Sequence, residues 1–344
     1  PEKGGETRKK QKSALSRVIH QKMTSDRMAE LVEKLSDKNL EEERSAELRE
    51  VKREHERASK VPEELEKKLS EQSSVTQEVW RKARPENDFE SFAEELEKLV
   101  KLKRKYANHI DSEKEPYKVL FEEYEPYIPL EKVEQILSRL GEELPELLVK
   151  IKESDVELNS TALNVELSDD ENMEVAREAA ETIGLDPERS RLDLSAHPFT
   201  SGNQFDSRIT TRFKDDSVAE NIAISLHETG HALYNLGVRQ ENYGSPLGEP
   251  RELSIHESQS RFWENHVGRS KEFWEFFIPQ MKQISEKFEN LEAEDCFEAA
   301  NRIDTENVIR TEADEVSYHL HIILRFELER KLINGDIEVQ DLPE

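Results

Sequence analysis

Apolar residues recur at intervals of three and four along the first part of the chain, the spacing that places them on one face of an α-helix. This pattern predicts helix over residues 8–60 and again over residues 62–110. Pro85 and Asn87 should interrupt the second stretch, and Asp88 can cap the helix that follows. No strict seven-residue repeat persists, so we expect antiparallel helices packed on a larger body and not a coiled coil.

The helical pattern continues through the middle of the chain with interruptions. Residues 123–154 predict two helices separated by a break near Gly141 and Pro145. Residues 173–186 predict another helix, which Gly184 would close at its C-terminus.

A period of two then replaces the helical spacing. The segments "SRLDLSAHPFT" (190–200) and "FDSRITTRF" (205–213) alternate apolar and polar residues and contain Thr, Ile and Phe. Such alternation favours a short β-hairpin or a small sheet. The helical pattern returns after this region and runs to about Asn334, so the chain is predicted to be mainly α-helical.

The composition agrees with a mainly helical protein and restricts the partners. The 344 residues include 11 Gly and 13 Pro, and charged residues make up 37% of the chain. The net charge of −27 argues against nucleic acid or an anionic membrane as the main partner, because both attract a surplus of Lys and Arg. The sequence has no apolar run long enough to span a bilayer, and its single cysteine, Cys296, is consistent with a reducing compartment. We therefore expect a cytoplasmic protein.

The string "LHETGHALYNLG" (226–237) carries the first candidate chemistry. In a helix, His227 and His231 lie one turn apart and project from the same face, with Glu228 one step round. Two imidazoles so placed can hold a metal ion, and the glutamate can polarise a water bound to that ion as general base. The alternative is an ordinary helix with two polar residues facing solvent. Gly230 weighs against that alternative, because a glycine inside a helix is unfavourable unless another segment packs closely there.

A catalytic metal of this kind needs a third protein ligand and an open position for water. The residues after His231, "ALYNLGVRQ", lack the histidine that the metzincin peptidases place there. Glu257 lies 26 residues beyond His231 and is the leading candidate. A second interpretation competes, since Ser254 and Glu257 also form the Ser-x-x-Glu pattern of a helix capping box. His256 and Glu264 are lesser candidates.

An ordered set of segments is more specific than the histidine motif alone. The segments are "HPF" (197–199), "DSRIT" (206–210), "HETGH" (227–231), "GVRQENYGSPLG" (237–248), "IHESQSRFWEN" (255–265) and "IRTEADEVSYHLHIILRFELE" (309–329). Together they resemble the carboxypeptidase Taq family of metallocarboxypeptidases along nearly the whole chain. The resemblance implies that Glu257 is the third metal ligand and that the metal is Zn²⁺, with Co²⁺ or Mn²⁺ possible in its place. It also implies peptide substrates with a free C-terminus and a homodimer.

The last of these segments contains a candidate substrate-binding group. Arg310, Asp314 and Tyr318 are spaced four apart and would share one face of a helix. Arg310 and Asp314 could form an ordinary surface ion pair. Alternatively, Arg310 could pair with the terminal carboxylate of a substrate, to which the planar fork of a guanidinium is suited. The resemblance implies the second role.

Four residues on the predicted strands carry two further family signatures: His197, Asp206, Arg208 and Thr210. Their strands come directly before the metal-binding helix, where the edge strand of a zinc peptidase would line the cleft. Spacing assigns no role to them. Buried polar groups that hold the cleft in shape and direct contacts with substrate both stay open, and we treat all four as candidate substrate-binding residues.

The resemblance also predicts how the chain is organised. Residues 1–160 would form an N-terminal helical wall of the cleft, and residues 161–344 the catalytic region. Family members usually extend beyond both ends of this sequence, so we expect a fragment: "PEKGG" (1–5) resembles the tail of an N-terminal family segment, and a C-terminal segment that completes the cleft is not in the sequence. That expectation leaves open whether this chain alone is active.

The residues and the resemblance together predict a mainly α-helical, gluzincin-like metallopeptidase with a deep cleft and a small sheet beside the metal helix. We expect a zinc carboxypeptidase with a metal-bound water as nucleophile and Glu228 as general base. Two alternatives remain. One is an endo-oligopeptidase on the same fold, which does not need a free C-terminus. The other is an inactive helical scaffold that keeps the metal helix for stability.

Overall fold

The computed structural model describes residues 5–214, 217–304, 309–310 and 313–343. Most of these residues are helical, which confirms the predicted fold class. The helices are α1 (Gly5–Met23), α2 (Asp26–Ser36), α3 (Glu42–Lys60), α4 (Glu63–Glu86), α5 (Phe89–Ile110), α6 (Pro116–Tyr124), α7 (Leu130–Lys152), α8 (Asp169–Thr182), α9 (Val218–Gly237), α10 (Leu253–Arg261), α11 (Lys271–Ile284), α12 (Ala293–Ala300) and α13 (Ser317–Asn334). The strands are β1 (Ser190–Leu194), β2 (Phe199–Gly202) and β3 (Ser207–Thr211).

Capping residues divide the first 110 residues into separate helices. The Ser25 hydroxyl accepts a backbone N–H three residues on and caps α2. The helix predicted over residues 8–60 is therefore present as three separate helices, α1 to α3. Asn87 ends α4 in the left-handed conformation, with φ of 52°, and the Asp88 carboxylate caps α5. The break predicted at Asn87 is therefore confirmed.

Helix α7 runs without a break through Gly141 and Pro145, so the two helices predicted for this region are wrong. A proline inside a helix removes one backbone hydrogen bond, but the surrounding Leu, Glu and Lys residues all favour helix. Gly141 lies against the side chain of Ile323 on α13, where a Cβ atom would be 3.7 Å from Cγ2 of Ile323. The glycine therefore marks a packing contact between α7 and α13 and not a helix end.

The small sheet predicted before the metal helix is present. Its order is β1-β3-β2, with β1 parallel and β2 antiparallel to β3. Among the described strands, β2 pairs with β3 alone and forms an edge of the sheet. Ile209 in the central strand is fully buried and packs with Ala232 of α9, which fixes the sheet on that helix.

Helix α9 is held in place by a large apolar cluster. Its residues Ile222 and Leu226 pack with Ala179 of α8 and with Trp274 and Phe277 of α11, and all five are essentially inaccessible to solvent. Burying a side chain of this size contributes about 1.5–3 kcal/mol. The helix that carries the two histidines is therefore among the most firmly packed elements of the chain.

By internal contacts the chain divides into two compact units, Pro1–Glu123 with Phe326–Glu344, and Tyr124–Arg325. The first unit has apolar clusters around Ala107 and around Val100. This division by contacts differs from the boundary expected at residue 160, which concerns the location of the catalytic region and stays a prediction. No helix among the described residues has an apolar stretch that could cross a membrane.

Candidate metal centre

His227 and His231 project from one face of α9 toward a single carboxylate on α10. The Nε2 atom of His231 lies 3.2 Å from Oε2 of Glu257, and the Nε2 atom of His227 lies 3.8 Å from Oε1 of the same residue. One potential ligand atom from each of the three residues lies within 4.8 Å of the other two. Two imidazole nitrogens and a carboxylate oxygen are a donor set that suits a divalent transition metal. These residues therefore fit a metal site.

Glu257 reaches this position because it does not cap its helix. The N-cap of α10 is Glu252, and the Ser254 hydroxyl and backbone N–H both donate to the carboxylate of Glu125, each at 2.7 Å. The interpretation of Glu257 as part of a capping box is therefore wrong. Its carboxylate is left to face the histidines of α9.

Gly230 accounts for the close approach of α9 and α10. A Cβ atom at this position would lie 2.6 Å from both the carbonyl oxygen of Gln259 and the Cα of Ser260. Both contacts are with backbone, so no side-chain rotation could relieve them. The close packing predicted for Gly230 is therefore confirmed, and it occurs on α9 between His227 and His231.

A second carboxylate contacts the other nitrogen of His227. Oε2 of Glu264 lies 2.7 Å from Nδ1 of His227. Arg261 donates from its Nη1 to both oxygens of Glu264, at 3.1 and 3.0 Å, and its Nε lies 3.5 Å from Oε1 of Glu257. The arginine therefore bridges the two carboxylates that flank His227.

The charges of these groups shift their pKa values in opposite directions. Burial alone would raise the pKa of Glu257, but the hydrogen bond from His231 and the nearby charges of both histidines and Arg261 lower it to about 2. Burial would lower the pKa of His227, but the hydrogen bond and charge of Glu264 outweigh it and raise this pKa. Glu257 is thus an anion at neutral pH, as a metal ligand must be.

The Glu228 side chain is positioned by a hydrogen bond from a residue of the sheet. This side chain is buried, with 7% of the residue exposed, and its Oε2 accepts a hydrogen bond of 2.6 Å from the hydroxyl of Thr200. Thr200 belongs to the edge strand β2. The strand and the metal helix are therefore joined at the residue predicted to act as the general base.

Arg310 does not lie on the predicted helical face, because α13 begins later, at Ser317. The Asp314 carboxylate accepts the backbone N–H groups of Val316 and Ser317, each at 2.9 Å, and so caps α13. The Arg310–Asp314 surface pair is not formed. Two further residues of this motif, at positions 311 and 312, lie outside the described residues.

Arg310 instead contacts Tyr318 at the start of α13. Its Nη1 donates to the Tyr318 hydroxyl at 3.2 Å. The guanidinium carbon of Arg261 lies 3.9 Å from the centre of the same ring. Tyr318 therefore lies between Arg310 and the arginine that bridges Glu257 and Glu264.

Thr210 is buried in the sheet and anchors the start of the edge strand. Its hydroxyl oxygen accepts from Ser195 Oγ at 2.7 Å and from the Phe199 backbone N–H at 3.0 Å. Phe199 directly precedes Thr200, so this anchor helps to position the group that bonds Glu228.

The other three candidates, which lie on or beside the sheet, are exposed. Asp206 and Arg208 pair with each other at 2.9 Å, and His197 lies in the connection between β1 and β2. Among the described residues, no hydrogen bond or ion pair joins these three to the proposed metal ligands. Their substrate-binding role stays a prediction.

The sequence analysis assigned no role to three residues of the centre, Thr200, Arg261 and Tyr318, and it treated Glu264 as a lesser candidate for the third metal ligand. In the structure Glu264 contacts Nδ1 of His227. A signal was available for Arg261 and Glu264. Arg261 and Glu264 follow Glu257 by four and seven residues, which is the spacing of one helix face. Thr200 and Tyr318 depend on how separate elements pack, and their spacing carries no such signal.

Comparison with known proteins identifies the family of the chain. The whole chain, residues 1–344, matches the family model of the carboxypeptidase Taq (M32) metallopeptidases. Thermostable carboxypeptidase 1 of Thermus thermophilus is 36% identical, covering 100% of this chain and 70% of that protein. Carboxypeptidase 1 of Bacillus subtilis is 30% identical, covering 100% of this chain and 69% of that protein.

Solved structures with a similar fold are also carboxypeptidases. A solved structure of the Pyrococcus furiosus carboxypeptidase superposes with a TM-score of 0.92 at 35% identity, covering 100% of this chain and 70% of that one. An M32 carboxypeptidase from Deinococcus radiodurans gives a TM-score of 0.92 at 31% identity, with 99% of this chain and 69% of that one covered. The family predicted from the sequence motifs is confirmed: this chain belongs to the carboxypeptidase Taq (M32) family of metallopeptidases.

Proposed function

We propose that this chain is a metal-dependent carboxypeptidase that removes C-terminal residues from peptides, with the metal held by His227, His231 and Glu257. Membership in a metallopeptidase family implies a divalent metal. The observation that carries the assignment of these ligands is the convergence of both imidazoles on one carboxylate. We propose Zn²⁺ as the native metal, with Co²⁺ or Mn²⁺ as alternatives, because nitrogen donors predominate in the set.

The chemistry requires a base beside the metal. A divalent cation at this position would acidify a water molecule and polarise the carbonyl of a peptide bond. Glu228 would accept a proton from the attacking water and return it to the leaving amine. Thr200 occupies Oε2 of this carboxylate, and among the described residues no group donates to Oε1. Oε1 is therefore the oxygen that we propose for proton transfer.

Recognition of a free C-terminus would fall to Arg310. Its guanidinium can bind a carboxylate through two parallel hydrogen bonds. The contact of Arg310 with the Tyr318 hydroxyl supports this role, because it fixes the direction of a long side chain, and the ring of the same tyrosine contacts Arg261 beside the metal centre. The substrates would then be peptides with an unblocked terminal carboxylate, which an endo-oligopeptidase would not require.

The finer predictions rest on the sequence and the resemblance. All the proposed catalytic residues lie within residues 161–344, the region predicted to be catalytic, and that division stays a proposal. The homodimer and the cytoplasmic location also stay proposals. We retain His197, Asp206 and Arg208 as candidate substrate contacts, and we propose for Thr210 the positioning of strand β2.

The test combines metal analysis with a matched pair of variants on α9. We expect the wild-type chain to bind about one divalent ion and to shorten peptides from the C-terminus, and Glu228→Gln to retain the metal while losing at least about 100-fold in kcat. Glu220→Gln, an acidic residue on the same helix that pairs with Lys214, should leave both unchanged. The proposal fails if Glu228→Gln and Glu220→Gln hydrolyse peptides equally well. It also fails if the wild-type chain binds no metal.

A further inference from the structure

A π-helical turn follows α10 directly and contains Glu264. It spans Phe262–Val267 and closes with a hydrogen bond of 2.9 Å from the Gly268 N–H to the carbonyl of Trp263, five residues earlier. Such wide turns insert one extra residue into a helix and are frequent at functional sites. Here the turn carries the carboxylate of Glu264, which contacts His227 and Arg261.

Two carboxylates from the same helical segment therefore flank one imidazole. Glu257 faces Nε2 of His227 at 3.8 Å, and Glu264 faces Nδ1 at 2.7 Å. An ionised carboxylate can only accept a hydrogen bond, so the proton of the neutral ring lies on Nδ1. The Nε2 lone pair is then directed toward Glu257 and His231.

Arg261 lies between these carboxylates and contacts both. It is largely buried, and a planar guanidinium can satisfy two anions at a fixed separation, which the single point charge of a lysine cannot do. Its flat face rests on the ring of Tyr318, which restricts its rotamers. Tyr318 on α13 therefore restrains the guanidinium of Arg261, which in turn contacts Glu257 and Glu264.

A second glycine keeps the turn against the metal helix. A Cβ atom at Gly268 would lie 2.5 Å from Cδ1 of Leu226 on α9 and 2.8 Å from the carbonyl of Glu264. Gly230 and Gly268 thus permit close contact with α9 near the two ends of the segment that carries Glu257, Arg261 and Glu264. The segment that carries Glu264 therefore meets the backbone of α9 at Gly230 and the side chain of Leu226 at Gly268.

We propose that Glu264 and Arg261 are positioning residues of the metal centre: Glu264 fixes the tautomer and orientation of His227, and Arg261 fixes the separation of Glu264 from the ligand Glu257. This inference rests on the proposed metal centre. Neither residue is among those that we propose to contact substrate. Outer carboxylates that hold a ligating histidine typically contribute about 10–100-fold in metal affinity.

The experiment measures metal affinity directly, by competition between the folded apoprotein and a chelator for Zn²⁺, and follows Co²⁺ absorption as a signature of coordination. We expect Glu264→Ala to weaken Zn²⁺ binding by about 10–100-fold and to alter the Co²⁺ spectrum. Glu264→Gln should lose less affinity for Zn²⁺ than Glu264→Ala, because the amide oxygen of the glutamine can still accept the Nδ1 proton of His227. Arg261→Met should weaken binding, and Arg261→Lys should recover only part of it.

The control is Glu171→Gln, which removes a carboxylate of the same unit that is bonded by Ser168, Ser285 and Lys287. This variant should lose stability and keep wild-type metal affinity. Circular dichroism of each apoprotein shows that the variants compared are folded. If Glu264→Ala and Arg261→Met bind Zn²⁺ as tightly as the wild type while His227→Gln does not bind it, the positioning role is wrong and the metal centre stands. If the wild-type chain itself binds no metal, the metal centre and the positioning role are both wrong.

Discussion

The Thr200 hydroxyl donates a hydrogen bond of 2.6 Å to Oε2 of Glu228, and so joins the edge strand β2 to the metal helix α9. The residue that we propose as general base is therefore oriented from the sheet and not from its own helix. Because the bond occupies one carboxylate oxygen, it also selects the oxygen that is left for proton transfer.

Loss of this hydrogen bond should slow catalysis without releasing the metal. We expect Thr200→Val to lower kcat by about 10-fold, since a hydrogen bond to a charged group contributes about 1.5–3 kcal/mol and part of this would be recovered by water. Thr200→Ser keeps the hydroxyl and should stay near wild type. Steady-state kinetics and metal content would check both variants. Equal kcat values for the Val and Ser variants would show that the bond does not orient the base.

Gly230→Ala should disturb both stability and metal binding. The new methyl group would lie 2.6 Å from two backbone atoms of α10, so the helices must separate. We expect a loss of about 2 kcal/mol in the free energy of unfolding, even though alanine favours helix more than glycine does.

Gly237→Ala is the matched control for that substitution. It lies on the same helix with nothing within 4 Å of the added atom, and should be neutral or slightly stabilising. Chemical denaturation of the two variants separates the steric effect from helix propensity. If Gly230→Ala is as stable as Gly237→Ala and binds metal normally, the contact between α9 and α10 is not tight.

Glu171 should make part of the stability depend on pH in the acid range. The Ser168 backbone N–H, the Ser285 hydroxyl and the Lys287 ammonium lower its pKa from 4.5 to about 2. Its contribution is therefore complete above about pH 4.5 and disappears as the pH falls toward 2.

The variant Glu171→Gln isolates this contribution from that of the other acidic residues. Because the side chain is 25% exposed, solvent weakens the effect, and we expect the variant to be about 1 kcal/mol less stable than wild type at pH 7. The difference should shrink as the pH falls from 4.5 toward 2, because the carboxylate of the unfolded wild type takes up a proton in this range while that of the folded protein stays ionised until about pH 2. Urea denaturation at several pH values would measure it, and a constant difference would contradict the assignment.

Arg310→Gln should weaken the processing of peptides with a free C-terminus. Removing a charge-assisted pair with the substrate should lower kcat/KM by about 10–100-fold, mainly through KM. Amidated peptides, which lack the carboxylate, should be poor substrates of the wild type and unaffected by the substitution. Arg325→Gln, at an exposed position of α13, serves as control. Cleavage of amidated and free peptides at equal rates would favour the endo-oligopeptidase alternative.

The placement of His227, His231 and Glu257 could be predicted because helix periodicity puts the two histidines on one face and the family motif points to the glutamate. The need for close packing at Gly230 was also visible, since a glycine inside a helix requires a reason. In each case the signal lay within one element or within one motif.

The parts that could not be predicted depend on local irregularity or on packing between elements. The π-helical turn that carries Glu264 does not alter the spacing of apolar residues in the sequence. Thr200 meets Glu228 because an edge strand packs on a helix, which spacing does not encode. The prediction of a helix over Arg310 and Asp314 is wrong, because the side chain of Asp314 accepts the backbone N–H groups of Val316 and Ser317. It therefore caps α13, which begins at Ser317.

The contact at Gly230 has a thermodynamic consequence for the whole centre. Since backbone meets backbone there, motion of surface side chains cannot change the spacing between the backbone of α9 and that of α10. The two helices therefore stay together in the folded chain whether or not a metal is bound. An ion held across them would add its binding free energy to the folded state, so the free energy of unfolding should rise with the concentration of free metal.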